Sequence, residues 1–289
     1  FIVDRMIDTL YMRNTSKSLF LELKENTDEE MEKLLSAIFK IPNGHIYNKK
    51  SIIDYKVLSK DRILDNKYNY KGFEPFQYEN YENYYNMFDA INNEDILLHH
   101  PYDSYDTVVK FIQHASMDPK VEVIRQTLYR VSSIDSPIVN ALCDAARKGK
   151  SVVVLVEIKA RFDEENNLHW AKALEDAGAH VIYGITGFKV HAKVSQVIRQ
   201  IGDKLKFYMH FGTGNYNGSS AKIYTDVSLF TSKEEFSQDT TSFFHILSGY
   251  NKNRRLNALS MSPFQIKERI IEKIRVEASK GSEGRIIAK

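Results

Sequence analysis

SVVVLVEIKARFDEENNLHWAKALEDAGAHVIYGITGFKVHAK, residues 151–193, holds two strands, the helix between them and a His-x-Lys pair. VVVLVEI (152–158) is almost continuously apolar, the pattern of a strand covered on both faces. From about Asp163 to Ala177 the residues follow helical spacing, and Gly178 stops the run. HVIYGI (180–185) is the next strand. A strand, a helix and a strand of these lengths predict a layered α/β domain with a largely parallel sheet flanked by helices.

The neighbouring segments extend the alternation. Val121–Val131 is rich in β-formers, and Ser136-Pro137 reads as an N-cap followed by a first-turn proline. The helix it opens carries Ile138, Val139, Leu142, Ala145 and Ala146 on one face and ends at Gly149. Two further strands are expected at about 189–199 and 205–211. Near the end of the chain Ser262, Pro263 and Gln265 read as a capping box, followed by Ile266, Ile270, Ile271 and Ile274 at helical spacing. That last helix needs a partner for its apolar face.

A composition shift divides the chain at residues 65–86, DNKYNYKGFEPFQYENYENYYN, where Tyr, Asn and Glu crowd together. Its aromatics read as a connecting segment laid on a neighbouring surface rather than as a base-stacking platform, because positive charge is sparse there. Before it, FLELKE (20–25) is a candidate strand. Thr27 to Lys40 is a candidate helix, with Thr27 as its cap and Met31, Leu34, Leu35 and Ile38 on one face. The expected organisation is a small α+β end of a preceding domain (1–71), a main α/β domain (72–251) and the start of another (252–289). Neither end, Phe1 or Lys289, reads as a natural terminus.

Composition excludes several classes. A hydrophobic fraction of 43% with 27% charged residues is that of a soluble globular chain. No apolar run reaches the roughly 20 residues a spanning helix needs. A net charge of +2 argues against a broad nucleic-acid surface, although a local cationic site remains open. The one cysteine, Cys143, cannot form an internal disulfide, which fits a reducing cytoplasm.

Ligands of an α/β sheet bind beyond the carboxyl ends of its strands. Collected there are Tyr129-Arg130, then Lys159-Ala160-Arg161, then Thr186-Gly187 leading to Lys189-Val190-His191-Ala192-Lys193, and His210 opening into Gly212-Thr213-Gly214-Asn215. Guanidinium forks suit phosphate oxygens, and glycines let backbone N–H groups approach an anion. Each feature also has an ordinary reading: His191 as a structural histidine, GTGN as a plain turn, Arg130 and Arg161 as surface partners of Asp163 or Glu164. The order, His-x-Lys and then Gly-x-Gly-Asn after the next strand, favours phosphate chemistry.

That order resembles the phospholipase D superfamily, and one branch matches much more closely. ILLHHPYDSYDTVVKFIQHAS (96–116), LYRV (128–131), KARFDEENNLHWAKALEDAGAHVIYG (159–184), KVHAK (189–193) and HFGTGNYNGSSAKIYTD (210–226) look like the first catalytic domain of type 1 polyphosphate kinases. The resemblance covers roughly residues 72–251 and implies a phospholipase D-like fold. It implies a transferase that moves the terminal phosphate of ATP reversibly to polyphosphate through a phosphohistidine. His191 is then the nucleophile, and Lys193 offsets charge on the transferring oxygens. Arg130 and Arg161 match residues associated with Mg²⁺ and phosphate. Guanidinium has no lone pair for a metal, so they are expected to hold phosphate oxygens that in turn hold Mg²⁺. Tyr224 matches a nucleotide-site residue, with an aromatic at a sheet edge as its other reading. Asn215 is a candidate for orienting the His191 ring, beside Gly212 and Gly214. For His99-His100 a structural role is preferred over a metal site, since adjacent strand residues face opposite ways.

The resemblance implies ATP or ADP and polyphosphate as partners and a homo-oligomer for the full-length enzyme. It implies no nucleic acid and at most peripheral membrane contact. A second histidine and arginine come from a later domain in that family, so this stretch alone is expected to turn over poorly. Two competing readings are a phospholipase D-type phosphodiesterase or nuclease, and a non-catalytic polyanion-binding module.

Overall fold

The computed structural model describes residues 2–14, 16–42, 44–50, 71–78, 86–131, 135–158, 163–185, 187–250 and 255–288. Arg161, Thr186 and most of the 65–86 segment lie outside the described residues. The chain divides into two compact units, Phe1–Phe73 and Glu74–Lys289.

In the first unit, helix α1 (Ile2–Asn14) precedes a two-stranded parallel sheet of β1 (Leu21–Lys24) and β2 (Ile46–Lys49), with α2 (Glu29–Phe39) between the strands. The cap of α2 is Asp28, one residue after the expected Thr27. Asp28 accepts the N–H groups of Glu30 and Met31 at 2.7 and 3.4 Å, while the Thr27 hydroxyl is committed to the Lys24 carbonyl at 2.6 Å. Met31, Leu34 and Ile38 of its apolar face are exposed.

In the second unit the elements are α3 (Met87–Asn93), β3 (Ile96–His100), α4 (Asp106–Met117), β4 (Val121–Leu128), α5 (Pro137–Arg147), β5 (Ser151–Val156), α6 (Glu164–Asp176) and β6 (His180–Tyr183). There follow β7 (Lys193–Ile201), β8 (Lys204–Gly212), α7 (Gly218–Ala221), β9 (Asp226–Thr231), α8 (Glu234–Leu247) and α9 (Ile266–Ser279). Seven strands form one sheet in the order β3-β9-β8-β7-β4-β5-β6.

The expected α/β sheet flanked by helices is present, but it is mixed rather than mostly parallel. Only β4, β5 and β6 run parallel; β4–β7, β7–β8, β8–β9 and β9–β3 are antiparallel pairs. The cause is local. β7 and β8 are joined by Gly202 and Asp203 alone, and a two-residue loop connects only antiparallel strands. Gly202 takes φ +59 there, the positive value a hairpin turn of this kind requires.

Helices cover both faces. Val152, Val154 and Val156 of β5 join the core under α4, α5 and α6, whereas Leu155 faces the other way, into a cluster with Phe243, Phe244 and Leu247 of α8. That is the two-sided burial read from the continuous apolar run. Ser136 caps α5 through the Val139 N–H at 3.4 Å, and the five expected apolar residues of α5 are buried.

The closing helix begins at Ile266, four residues after the expected cap. Ser262 does not cap it, and Gln265 is used elsewhere: its amide bonds both the N–H and the carbonyl of Leu256, at 2.7 and 2.8 Å. Buried Asp239 of α8 accepts the N–H groups of Asn257, Ala258 and Leu259 at 2.7–2.9 Å. These bonds fasten the segment before α9 onto α8. Ile266, Ile270, Ile271 and Ile274 of α9 remain on its exposed side.

Candidate active site

The direction of each strand decides what meets at one edge of the sheet. β4 and β5 end there, at Leu128 and Val156. Antiparallel β7 begins there at Lys193, directly across from Gly212, where β8 ends. Across the next ladder Gly212 pairs with Ser228, and Asp226 at the start of β9 pairs with His100. Tyr129-Arg130, the His-x-Lys pair and the Gly-Thr-Gly-Asn turn therefore share one edge.

His191 sits in the irregular lead-in to β7, not on the strand itself. Thr127 fixes that lead-in: its hydroxyl donates to the Ala192 carbonyl at 2.7 Å and accepts the Val194 N–H at 3.0 Å. On the other side the buried Glu157 carboxylate accepts the Val190 N–H at 2.8 Å. Lys193 is 5% exposed and folds back along the chain. Its ammonium donates to the His191 carbonyl at 2.7 Å and lies 2.9 and 3.0 Å from the two ring nitrogens. Nearly equal distances place it against the ring rather than in line with either lone pair.

Tyr129 is the centre of the cationic cluster. Its ring meets the His191 ring edge-to-face at 4.7 Å. Lys193 lies 5.2 Å from its centroid, and Lys189 and Arg130 each lie 5.8 Å from it. Arg130 is also held by Asp163, at 3.1 Å. Burial lowers the His191 pKa, and Lys193, Lys189 and Arg130 push it in the same direction. Both effects favour the neutral form of the ring. Burial also lowers Lys193 from 10.5 to about 8; Asp226 opposes the shift and Arg130 adds to it.

Gly212 and Gly214 are required by close packing at the turn. A Cβ at Gly214 would lie 2.5 Å from the Asp226 carboxylate, and one at Gly212 would lie 3.2 Å from the His210 ring. Asp226 accepts the Thr213 hydroxyl at 2.8 Å, and Thr213 in turn accepts the Val227 N–H at 2.9 Å. His210 is buried, with Nδ1 2.8 Å from the Tyr216 hydroxyl, and desolvation lowers its pKa to about 3, so it is neutral. Asn215 does not orient the His191 ring: its side-chain oxygen is buried without a protein partner, and the ring's neighbours among the described residues are Tyr129 and Lys193. Tyr224 is 64% exposed on the loop before β9. His100 bonds the Asp103 carbonyl at 2.8 Å and Ser228 at 2.9 Å, a structural role.

Beside the cations opens a cavity of about 600 Å³, walled by Phe188, Val190, Phe211, Phe243, Leu259 and Phe264. Thr127, Glu157 and Asp226 are not singled out from sequence, and Tyr129 is placed at the sheet edge without a role of its own. Tyr129 and Asp226 at least lie inside the quoted motifs.

Residues 86–253 match the family described as polyphosphate kinase C-terminal domain 1, more than half of the chain. The chain belongs to that family. A polyphosphate kinase of Campylobacter jejuni is 57% identical over 287 residues, covering 97% of this chain and 40% of the relative. One from Halalkalibacterium halodurans is 45% identical over 289 residues, covering 97% and 41%. The crystal structure of the Porphyromonas gingivalis polyphosphate kinase, 28% identical, superposes with a TM-score of 0.74 over 91% of this chain and 40% of that one. The chain thus spans about two fifths of the length of the polyphosphate kinases it matches. No helix among the described residues is long and apolar enough to cross a membrane.

Proposed function

We propose that this chain carries the nucleophilic half of an ATP:polyphosphate phosphotransferase. The observation that carries the reading is the neutral His191 ring held against Lys193 and Tyr129, with Lys189 and Arg130 around the same aromatic. A lone pair surrounded by cations suits attack on a phosphoryl group, whose oxygens are anionic while the nucleophile is not. A ring nitrogen of His191 attacks the terminal phosphorus of ATP, the P–N bond forms, and the P–O bond breaks with its electron pair leaving on ADP. The terminal oxygen of polyphosphate then attacks the same phosphorus, and the P–N bond breaks to restore neutral imidazole. Each half is reversible.

Lys193 and Arg130 bind the transferring oxygens, and Arg161 is assigned the same role from the sequence motif. Tyr224 offers an exposed ring for a nucleobase. For magnesium, the donor set is cationic, and the described residues hold no group of three acidic, histidine or cysteine ligands. Such a set fits Mg²⁺ arriving on the nucleotide phosphates, which the arginines hold, rather than a bare ion. When bound, Mg²⁺ would supply charge neutralisation to the phosphates.

The test is labelling of the full-length protein with γ-labelled MgATP beside its His191→Ala variant. Label stable in base, lost in acid and absent from the variant supports the reading. A wild-type protein that takes no label yet cleaves a phosphodiester refutes it.

A further inference from the structure

The last rung between β4 and β5 is the Glu157 N–H donated to the Leu128 carbonyl at 2.9 Å. Just beyond that rung stand the backbone carbonyls of Tyr129, after β4, and of Glu157, after β5. Both are taken by one side chain. The Nδ2 of Asn167, in α6, donates to the Tyr129 carbonyl at 2.7 Å and to the Glu157 carbonyl at 2.8 Å. Asn167 is 0% exposed, and its own Oδ1 is buried without a protein partner. Asparagine is a weak helix former, and half of its hydrogen-bonding capacity here is unmet, so packing alone does not account for it.

Glu157 extends the connection. Its backbone carbonyl is held by Asn167, and its carboxylate, 1% exposed, holds the N–H of Val190, the residue before His191. One amide on α6 thus reaches the nucleophile by two routes. The first runs through the Tyr129 carbonyl to the ring packed on His191. The second runs through Glu157 to the backbone that carries His191. We infer that Asn167, acting through Glu157, is a positioning residue of the phosphoryl-transfer site, fixing the His191 ring against Tyr129. The inference rests on the phosphotransferase reading of His191. An in-line attack tolerates little displacement, and misplacement of about 1 Å costs on the order of 10²-fold in rate.

The experiment uses the full-length protein and single-turnover labelling by γ-labelled MgATP, with half-saturation by ATP and the thermal melt measured in parallel. Asn167→Ala is expected to slow labelling about 10²-fold while half-saturation moves less than about 3-fold. Glu157→Ala should behave alike. Glu157→Gln keeps an acceptor for Val190 and should stay within about 5-fold of wild type. Because Glu157 is one of the two routes from Asn167, Asn167→Ala with Glu157→Ala should be little slower than Asn167→Ala alone; independent sites would multiply to about 10⁴-fold. Near-wild-type labelling by Asn167→Ala, multiplicative losses in the double variant, or a Glu157→Gln as slow as Glu157→Ala would each overturn the inference. Should Asn167→Ala fail to fold, the Glu157→Gln and Glu157→Ala pair decides it alone. Wild-type protein that takes no label defeats the histidine reading itself, whereas labelled wild type with an equally fast Asn167→Ala defeats only this inference.

Discussion

Lys193→Met should stabilise the fold and disable the chemistry. Lys193 is 5% exposed, and its pKa falls from 10.5 to about 8, mainly because burial penalises the charged form. Methionine has a similar length and no charge to desolvate. The depression corresponds to about 3 kcal/mol against the protonated amine in the fold at pH 7. Between about pH 8 and 10.5 the folded amine is neutral while the unfolded one still binds a proton, so wild-type stability rises with pH across that window. The penalty that methionine removes therefore shrinks to about 2 kcal/mol near pH 9 and to under about 1 kcal/mol near pH 10. Loss of the hydrogen bond to the His191 carbonyl offsets part of it, leaving an expected gain of about 1–3 kcal/mol at pH 7. Denaturant unfolding of both proteins at pH 7 and pH 10 measures this, and histidine labelling should fall by about 10²–10³-fold in the same variant. A variant less stable than wild type at pH 7, or a gain that does not shrink with pH, would refute the reasoning.

The pH profile of labelling follows from the same two groups. On the proposed reading His191 attacks as the neutral ring, and its pKa is lowered, so activity should persist as pH falls through about 6.5 and drop only below that. On the alkaline side the rate should fall above about 8, where Lys193 loses its proton. An acid limb centred above 6.5 would contradict the cationic surroundings of the ring. Gly214→Ala would drive its Cβ to 2.5 Å from the Asp226 carboxylate and break the Thr213–Asp226 bond. It should cost about 1–3 kcal/mol and lower the Lys193 pKa further, read as a reduced melting temperature and an alkaline limb moved to lower pH. An unchanged melt would show that Asp226 is free to move aside.

Much of this fold is legible in the sequence where a local rule carries the information. Ser136-Pro137 sets the start of α5, and the unbroken VVVLV run reports a strand covered on both sides. The errors have local causes too. Thr27 is a good cap by residue type, but its hydroxyl closes the turn after β1 and leaves the role to Asp28. Gln265 matches a capping box yet serves Leu256 instead. At the site, sequence order brings His191, Lys193 and the glycine turn to notice, but strand register does not follow from order. Only register shows that Lys193 faces Gly212, and that Asp226 fills the space a side chain at position 214 would need. Glu157 and Asn167 escape notice because a buried carboxylate and a helical asparagine have no motif of their own.

The hairpin that a parallel reading of the sheet overlooks is what builds the site. Nine residues of β7 span about 30 Å at about 3.3 Å per residue. If β7 and β8 were both parallel to β4, Lys193 at the start of one and Gly212 at the end of the other would lie at opposite edges, about that far apart. The Gly202-Asp203 turn reverses the chain, so that the start of β7 and the end of β8 become direct partners beside the ends of β4 and β5. Reversal again between β8 and β9 returns Asp226 to the same edge, opposite His100. Two reversals, one of two residues and the other through residues 213–225, therefore turn five sequence-distant segments into one cationic pocket. The ends of the parallel strands β4 and β5 lead to Tyr129, Arg130 and Glu157, and the antiparallel ones bring in His191 just before β7, Lys193 at its start and the Asp226 carboxylate that steadies the lysine's charge.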